Sequence, residues 1–411
     1  MIRPIAIGLA PNLELDDIKL AVQNILFGKI FQREGKMLLK LKEWFSNHLG
    51  LKTIYLLNSG RSALYLALSS LNLNSKDEVI VQAFTCVAVP NAVLWAGAKP
   101  IYVDINKKNL GIEPHDLRKK ISKNTKAIIV QHTFGLPASL EEIITIAKEN
   151  KIIVIEDCAH CLKVKFKNKS LGSFSDMSIF SFGRDKAISS VFGGALAVNN
   201  QKFVKKIESL NKDLLYPSIW WDLKQHFHSM IMFFVLMFYD FFGLGKFIIY
   251  LAQKLNLLVP PVYKEELLGE RPYDFPKKMS ESTSILVLNQ LKKIDRFNTT
   301  RKQYCQIYNQ FFQNNSIKTD NYPLLRYPIL VGERDNLIKK AREKKIILGT
   351  WYKHVIDPEG VDLPKIKYLT PCPIAENVAQ CMVNLPTYPT LKQRDPSKII
   401  RIFKELKVAY L

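Results

Sequence analysis

The chain contains no low-complexity tract, no collagen-like pattern and no internal repeat, which excludes fibrous, solenoid and long disordered architectures. Cysteine is sparse. The six cysteines are scattered apart from Cys158 and Cys161. Residues Met1 to Ala10 lack a long apolar core with a cleavage site, so secretion is not expected and a cytoplasmic location is. Free thiols follow from that. No unbroken run approaches the roughly 20 apolar residues of a membrane span. Zinc-finger, RNA-recognition and basic-zipper motifs are missing and the lysines are spread along the chain, so nucleic acid is not an expected partner. Acidic residues are outnumbered: 37 Asp and Glu face 59 Lys and Arg, a formal net charge of +22. Such a balance favours anionic partners such as phosphorylated metabolites or an acidic membrane surface, although solubility alone also accounts for it.

The 411 residues suffice for two domains or one large domain with an appendage. Residues 53–200 read as alternating strands and helices. The strand candidates are Thr53–Leu57, Glu78–Gln82, Pro100–Val103, Lys126–His132, Ile152–Glu156, Met177–Phe182 and Gly194–Val198. Helical patterns at Arg61–Leu71, Cys86–Ala96 and Leu140–Asn150 lie between them. Several strands are continuously apolar, as buried parallel strands are. The expected class is α/β, a mainly parallel seven-stranded sheet flanked by helices. A long helix over 285–312 leads into a smaller α+β domain with strands at Arg326–Val331 and Ile346–Thr350 and helices at Asp335–Lys344 and Pro396–Lys407. The expected divisions are an N-terminal arm with helices over 1–50, a large domain over 51–270 and the long helix with the small domain over 271–411.

Met230–Ala252 stands apart. Met230 to Tyr239 is apolar or aromatic throughout, Asp240 interrupts, and Phe247–Ala252 is apolar again. The segment reads either as a buried helix or subunit contact, or as a hydrophobic hairpin resting on a membrane.

Chemistry concentrates around Lys186, in Ser181-Phe182-Gly183-Arg184-Asp185-Lys186, shortly before Gly193-Gly194. The apolar run Ile152 to Ile155 ends in Glu156-Asp157. A lysine after one strand and an acid at the end of an earlier one suit an enzyme that holds pyridoxal phosphate. Asn58-Ser59-Gly60-Arg61-Ser62 opens a helix directly after an apolar segment, as an anion-binding helix start should. Cys158-Ala159-His160-Cys161, read alone, has redox or metal spacing. It lacks a second cysteine pair and follows a core strand, so two small buried thiols are expected and no metal.

These pieces stand in an order that resembles the DegT/DnrJ/StrS family of pyridoxal-phosphate-dependent sugar aminotransferases, which have the aspartate-aminotransferase (type I) fold. The ordered set is Ser59 to Leu64, Glu78-Val79-Ile80 with Asn91-Ala92, Gly97 to Asp104, Gly135 to Ala138, Ile155 to His160, Leu171 to Asp176, and Phe180-Ser181-Phe182 with Lys186 and Gly193-Gly194. The resemblance implies that Lys186 forms the Schiff base and shuttles the proton, and that Asp157 pairs with the pyridine nitrogen. Gly60, Arg61 and Ser62 would hold the phosphate through backbone N–H groups, joined by Ser181. The Arg61 guanidinium would either meet the phosphate or point to solvent or substrate. His160 takes the place of a common glutamine and could bond the phenolic oxygen. Cys86 stands where relatives stack an aromatic on the ring, so either Phe84 substitutes or the ring packs differently. Pro276 stands where relatives carry an asparagine that reaches the partner's phosphate, a loss that Arg61 or a lysine could make good.

The resemblance implies ping-pong transamination of a keto sugar, nucleotide-linked, with an amino acid such as glutamate as donor, in a homodimer. A sugar dehydratase of the same fold would replace the lysine by histidine, which Lys186 argues against, and another type I pyridoxal-phosphate enzyme, such as a lyase, lacks this motif order. A non-catalytic regulator or membrane-associated scaffold is the reading from another class, and the intact Lys186 and Asp157 argue against it.

Overall fold

The computed structural model describes residues 5–8, 10–239, 241–319, 321–406 and 408–410. Asp240, the interruption of the apolar run, and Lys407, the expected end of the last helix, lie outside the described residues. Seven strands form the central sheet: β1 Ile54–Leu57, β2 Glu78–Gln82, β3 Lys99–Val103, β4 Thr125–Gln131, β5 Ile153–Asp157, β6 Met177–Ser181 and β7 Gly194–Val198. Their order is β1-β7-β6-β5-β4-β2-β3, and β7 runs antiparallel to both its neighbours. The interior strands are buried on both faces, which is why they read as continuous apolar runs. Helix α1 spans Leu15–Leu26. One face of the sheet packs under α2 Lys36–Leu49 with its neighbours; the other carries α3 Gly60–Ser69.

Beyond the large sheet lie α4 Ile219–Met237, α5 Leu244–Lys254, α6 Glu281–Leu291 and α7 Ile294–Phe311. The small C-terminal part pairs β8 Arg326–Leu330 with β9 Met382–Pro386, antiparallel. Its helices are Arg334–Glu343, Pro373–Cys381 and Asp395–Leu406. The N-terminal Ile5–Ala6 crosses to this part and pairs in parallel with Ile346–Ile347.

Three expectations need correction. The single long helix over 285–312 is two helices, broken at Lys292–Lys293. It starts earlier, where the Ser280 hydroxyl caps the Thr283 N–H. The break lets α6 pack on α1 and α2 while α7 turns Phe297, Tyr304 and Tyr308 towards other layers. The helix expected from Cys86 begins at Ala88, because Thr85–Cys86 pairs instead with Ile356–Asp357 of the C-terminal part. The strand expected over Ile346–Thr350 is shorter: Ile346–Ile347 pairs with the N-terminal strand, and beyond it Gly349 makes an isolated antiparallel bridge to Asn384.

The apolar segment forms a helical hairpin, α4 packed against α5. A side chain at Gly245 would meet the Val235 carbonyl oxygen at 2.7 Å and Tyr239 Cα at 2.8 Å, so glycine permits the close packing. The first half of α4 is anchored by buried polar groups. Asp222 pairs with Arg33 and accepts from the Ser280 hydroxyl at 3.0 Å, and His226 Nε2 lies 3.1 Å from Asn24 Nδ2. The second half buries Met232 and Val235 but exposes Phe234 and Met237, as α5 exposes Phe247, Tyr250 and Leu251. Among the described residues no helix is long and apolar enough to cross a membrane.

The sheet and α3 meet most closely at Gly194. A Cβ there would stand 2.4 Å from the Ser59 carbonyl carbon and 2.5 Å from Gly60 N. Backbone cannot yield as a flexible side chain does. Gly194→Ala is therefore expected to destabilise the fold by about 3 kcal/mol, read as a lowered urea midpoint with an unchanged slope.

Candidate active site

The carboxyl ends of β5 and β6 and the start of α3 surround a cavity of about 420 Å³. Lining residues include Gly60, Arg61, Cys86, Asp157, His160, Ser181 and Lys186, which brings together every expected site residue except Ser62. Ser62 lies one layer behind. Its N–H is capped by the Ser59 hydroxyl at 3.1 Å and its own hydroxyl donates to Asn58 Oδ1 at 2.7 Å.

The helix start offers an anion seat. Among the described residues no acceptor is found for the N–H groups of Gly60 and Arg61, and they sit at the positive end of α3. Ser181 lies against this end. A Cβ at Gly60 would meet Ser181 Cβ at 2.9 Å, so the glycine is what lets the hydroxyl approach.

Lys186 sits in the loop between β6 and β7. Phe182 N–H donates to the Gly193 carbonyl at 2.8 Å and Ser190 N–H to the Phe182 carbonyl at 3.0 Å, which closes the loop. Asn12 donates to the Lys186 carbonyl at 2.7 Å, and Arg301 of α7 donates to the Ala187 carbonyl at 2.7 Å. Burial lowers the pKa of the Lys186 amine, with Cys86 and Asp157 opposing that fall. Its Nζ lies 4.9 Å from the centre of the Trp351 ring.

Asp157 ends β5 facing the cavity. Its Oδ1 accepts from the Ala159 N–H at 2.9 Å, and among the described residues no donor reaches Oδ2. Burial raises its pKa, against the pull of the Ala159 N–H and of Lys186. Its neighbour Glu156 points the other way. Burial would raise the Glu156 pKa, but His132 at 3.2 Å and donors from Gly172, Phe174 and Ser175 hold it below the usual carboxylate range. His132, Glu156 and Cys158 bring their ligating atoms within 4.8 Å of one another, yet the carboxylate already holds a full set of protein donors. The cluster therefore reads as a support for β5.

His160 is stacked between Phe134, 5.8 Å away at 4°, and Trp351, 5.5 Å away at 17°. Its Nδ1 accepts from the Phe134 N–H at 3.1 Å and its Nε2 meets the Tyr352 hydroxyl at 3.3 Å. Burial, with Lys186 and Arg326 nearby, holds its pKa well below the ordinary histidine value. A bond from this ring to a cofactor oxygen would have to displace Tyr352. The Arg61 guanidinium is also engaged: it pairs with Glu266, donates to the Pro261 carbonyl at 2.6 Å and lies 4.7 Å over the Phe275 ring. What Arg61 offers the cavity is its backbone N–H.

Phe84 does not take the place of the absent aromatic at Cys86. It is fully buried and does not line the cavity, packing edge-on against Tyr352 at 5.3 Å and Phe134 at 6.3 Å. Aromatic lining comes instead from Trp351, Tyr352 and Phe192. The pairing of Cys86 with Asp357 brings the Trp351–Asp357 loop over the cavity. No local motif marks these residues in the sequence. Pro276 belongs to a segment laid along the start of α3, where Asn58 N–H donates to the Lys277 carbonyl at 3.0 Å and Asn58 Nδ2 to the Asp274 carbonyl at 2.8 Å.

The model of the DegT/DnrJ/EryC1/StrS aminotransferase family matches residues 13–221 and 261–404. The chain belongs to that family. It is an aminotransferase whose cofactor is pyridoxal phosphate, on the type I fold. A UDP-4-amino-4,6-dideoxy-N-acetyl-beta-L-altrosamine transaminase of Campylobacter jejuni is 28% identical over 334 residues, 78% of this chain and 76% of that protein. A GDP-perosamine synthase of Escherichia coli O157:H7 is 36% identical over 168 residues, and there the chain spans about half of the relative, 46% of its length. A crystal structure of ntda from Bacillus subtilis with bound cofactor PMP superposes with a TM-score of 0.76 at 20% identity, covering 99% of this chain and 86% of that one. The gap in the family match, 222–260, coincides with most of α4 and all of α5, so the hairpin lies outside the part that the family model describes. The donor set fits pyridoxal phosphate: a free helix N-terminus with a hydroxyl for phosphate, an acid with an unfilled acceptor for a protonated ring nitrogen, and a desolvated amine.

A lysine whose ammonium is disfavoured by burial loses its proton at lower pH than a solvated one. Competitive acetylation of the cofactor-free protein should therefore give Lys186 a titration midpoint below the ordinary value of 10.5. A midpoint at or above that value would mean that neighbouring acids outweigh desolvation.

Proposed function

We propose that the protein transfers an amino group from an amino acid, with glutamate as the expected donor, to a nucleotide-linked keto sugar. The observation that carries this reading is the single cavity shared by Lys186, Asp157 and the free N–H groups of Gly60 and Arg61. Pyridoxal phosphate, when bound, supplies an electron sink for a carbon that gives up and regains a proton. The N–H groups of Gly60 and Arg61, with the Ser181 hydroxyl, would hold its phosphate. Asp157 Oδ2 would accept from the protonated ring nitrogen, and a cationic partner there would pull the carboxyl back towards its charged form. Lys186 Nζ would take up and return the proton of the reacting carbon, a task that its lowered pKa suits. Trp351 and Tyr352 exclude water from one side.

Relatives named for UDP- and GDP-linked sugars support a nucleotide-linked acceptor, and a diphosphate suits a chain of net charge +22. One cavity serving donor and acceptor in turn implies ping-pong kinetics. The working form is a cytoplasmic homodimer. The test is an absorbance spectrum of the purified protein: a cofactor band that shifts with glutamate is expected in the wild type and absent in Lys186→Ala. Absence of cofactor uptake by the wild type would end the reading.

We further propose that the α4–α5 hairpin rests on an anionic membrane surface. Support comes from its place outside the family match, from exposed Phe234, Phe241, Phe242, Phe247 and Tyr250, and from exposed Lys246 and Lys254 beside them. The wild type should float with vesicles that contain phosphatidylserine, less so at high salt, and deletion of residues 230–252 should release it. A wild type that stays unbound at low salt would refute the contact.

A further inference from the structure

The cavity is lined by a guanidinium that makes no ion pair among the described residues, although the Asp185 carboxylate lies near enough to raise its pKa. Arg184 stands two residues before Lys186 and lines the same cavity. Its Nε and Nη2 are shielded from solvent, and no acceptor reaches them among the described residues. Its surroundings are the Phe192 ring at 5.7 Å, the charges of Asp185 and Arg61, the Tyr263 hydroxyl and, from α4, His228. His228 Nδ1 is buried and likewise without a partner. Burial lowers the Arg184 pKa to about 10.

The nearby arginines are otherwise engaged. Arg61 is neutralised by Glu266. Arg326 stacks on Trp351 at 3.6 Å, with Asp185 3.8 Å away. A desolvated guanidinium with unused donors is costly, and a ligand that supplies acceptors repays the cost. The cofactor's phosphate already has a seat at Gly60, Arg61 and Ser181. A second anion is therefore what Arg184 is free to take.

We propose that Arg184 is the carboxylate anchor of the amino donor. Its planar fork takes two carboxylate oxygens at once. Within the closed Phe182–Gly193 loop it shares its backbone turn with Lys186, whose N–H donates to the Gly183 carbonyl at 3.2 Å. The anchor thus holds the donor's acid group near the amine that moves its proton. This rests on the aminotransferase reading above.

Glutarate, a dicarboxylate with no amine, is the probe, measured by calorimetry on the cofactor-loaded protein. Arg184→Gln is expected to weaken glutarate about 10- to 100-fold, the range for losing a charged hydrogen-bond pair, and to leave cofactor uptake unchanged. Arg184→Lys, which keeps the charge and most of the volume, should fall between the two and guards against a folding defect. Glutarate affinity that is absent in the wild type or unchanged in Arg184→Gln overturns the anchor. So does loss of cofactor affinity, of UDP affinity or of the native oligomeric state in place of glutarate affinity. A wild type that takes up no cofactor defeats the aminotransferase reading as well, whereas normal uptake with unchanged glutarate affinity defeats the anchor alone.

Discussion

The close passage of β7 past the start of α3 governs the rest of the site. With Gly194 lying where a Cβ would strike Ser59 and Gly60, the strand and the helix N-terminus meet backbone to backbone. The antiparallel course of β7 then matters. The chain leaves β6 at Ser181, loops through Lys186 above the sheet and re-enters through Gly193–Gly194 from the same side. Loop, helix start and the end of β5 therefore converge beyond the carboxyl ends of the strands, where open α/β sheets place their ligands. A bulkier β7 would push α3 away and separate the anion seat from the lysine.

Within that frame, the site is differentiated by which charges the protein satisfies itself. Glu156 and Asp157 are adjacent, and alternation along a strand sends them to opposite faces. One receives donors from His132 and a backbone loop and becomes structural. The other keeps an open acceptor and faces the cavity. The same division separates Arg61, held by Glu266, from Arg184. Buried polar groups left incomplete by the fold mark where a ligand contributes its own half.

The sheet was legible in the sequence because its interior strands are buried on both faces, which turns several into continuous apolar runs, Ile152–Ile155 being the plainest. Lys186, Asp157 and Gly60 were legible because each is tied to the end of such an element. What escaped depends on contacts far apart in the chain. Glu266 lies 205 residues from Arg61, and the Trp351–Asp357 loop reaches Cys86 from the C-terminal part. Nothing local to Arg61 signals a partner, and nothing local to Cys86 signals a strand in place of a helix turn. The break in the long helix was hidden for a related reason: Lys292–Lys293 carries no glycine or proline, and the turn is imposed by two packing surfaces.

The α4–α5 hairpin is built in two halves with opposite demands. Near its start, Asp222 is buried at a cost that raises its pKa to about 6 even with Arg33 and Ser280 beside it. A buried polar anchor of this kind contributes orientation more than stability, because few placements of the helix satisfy all its partners. Among the described residues the far half has no such anchors, and it leaves aromatic side chains facing outward. Fixing the first half therefore fixes the direction in which the second presents its apolar face. The same helix carries His228 to the rear of Arg184, where the two line a small separate cavity behind the active site. A displacement of α4 would therefore move His228 relative to that arginine.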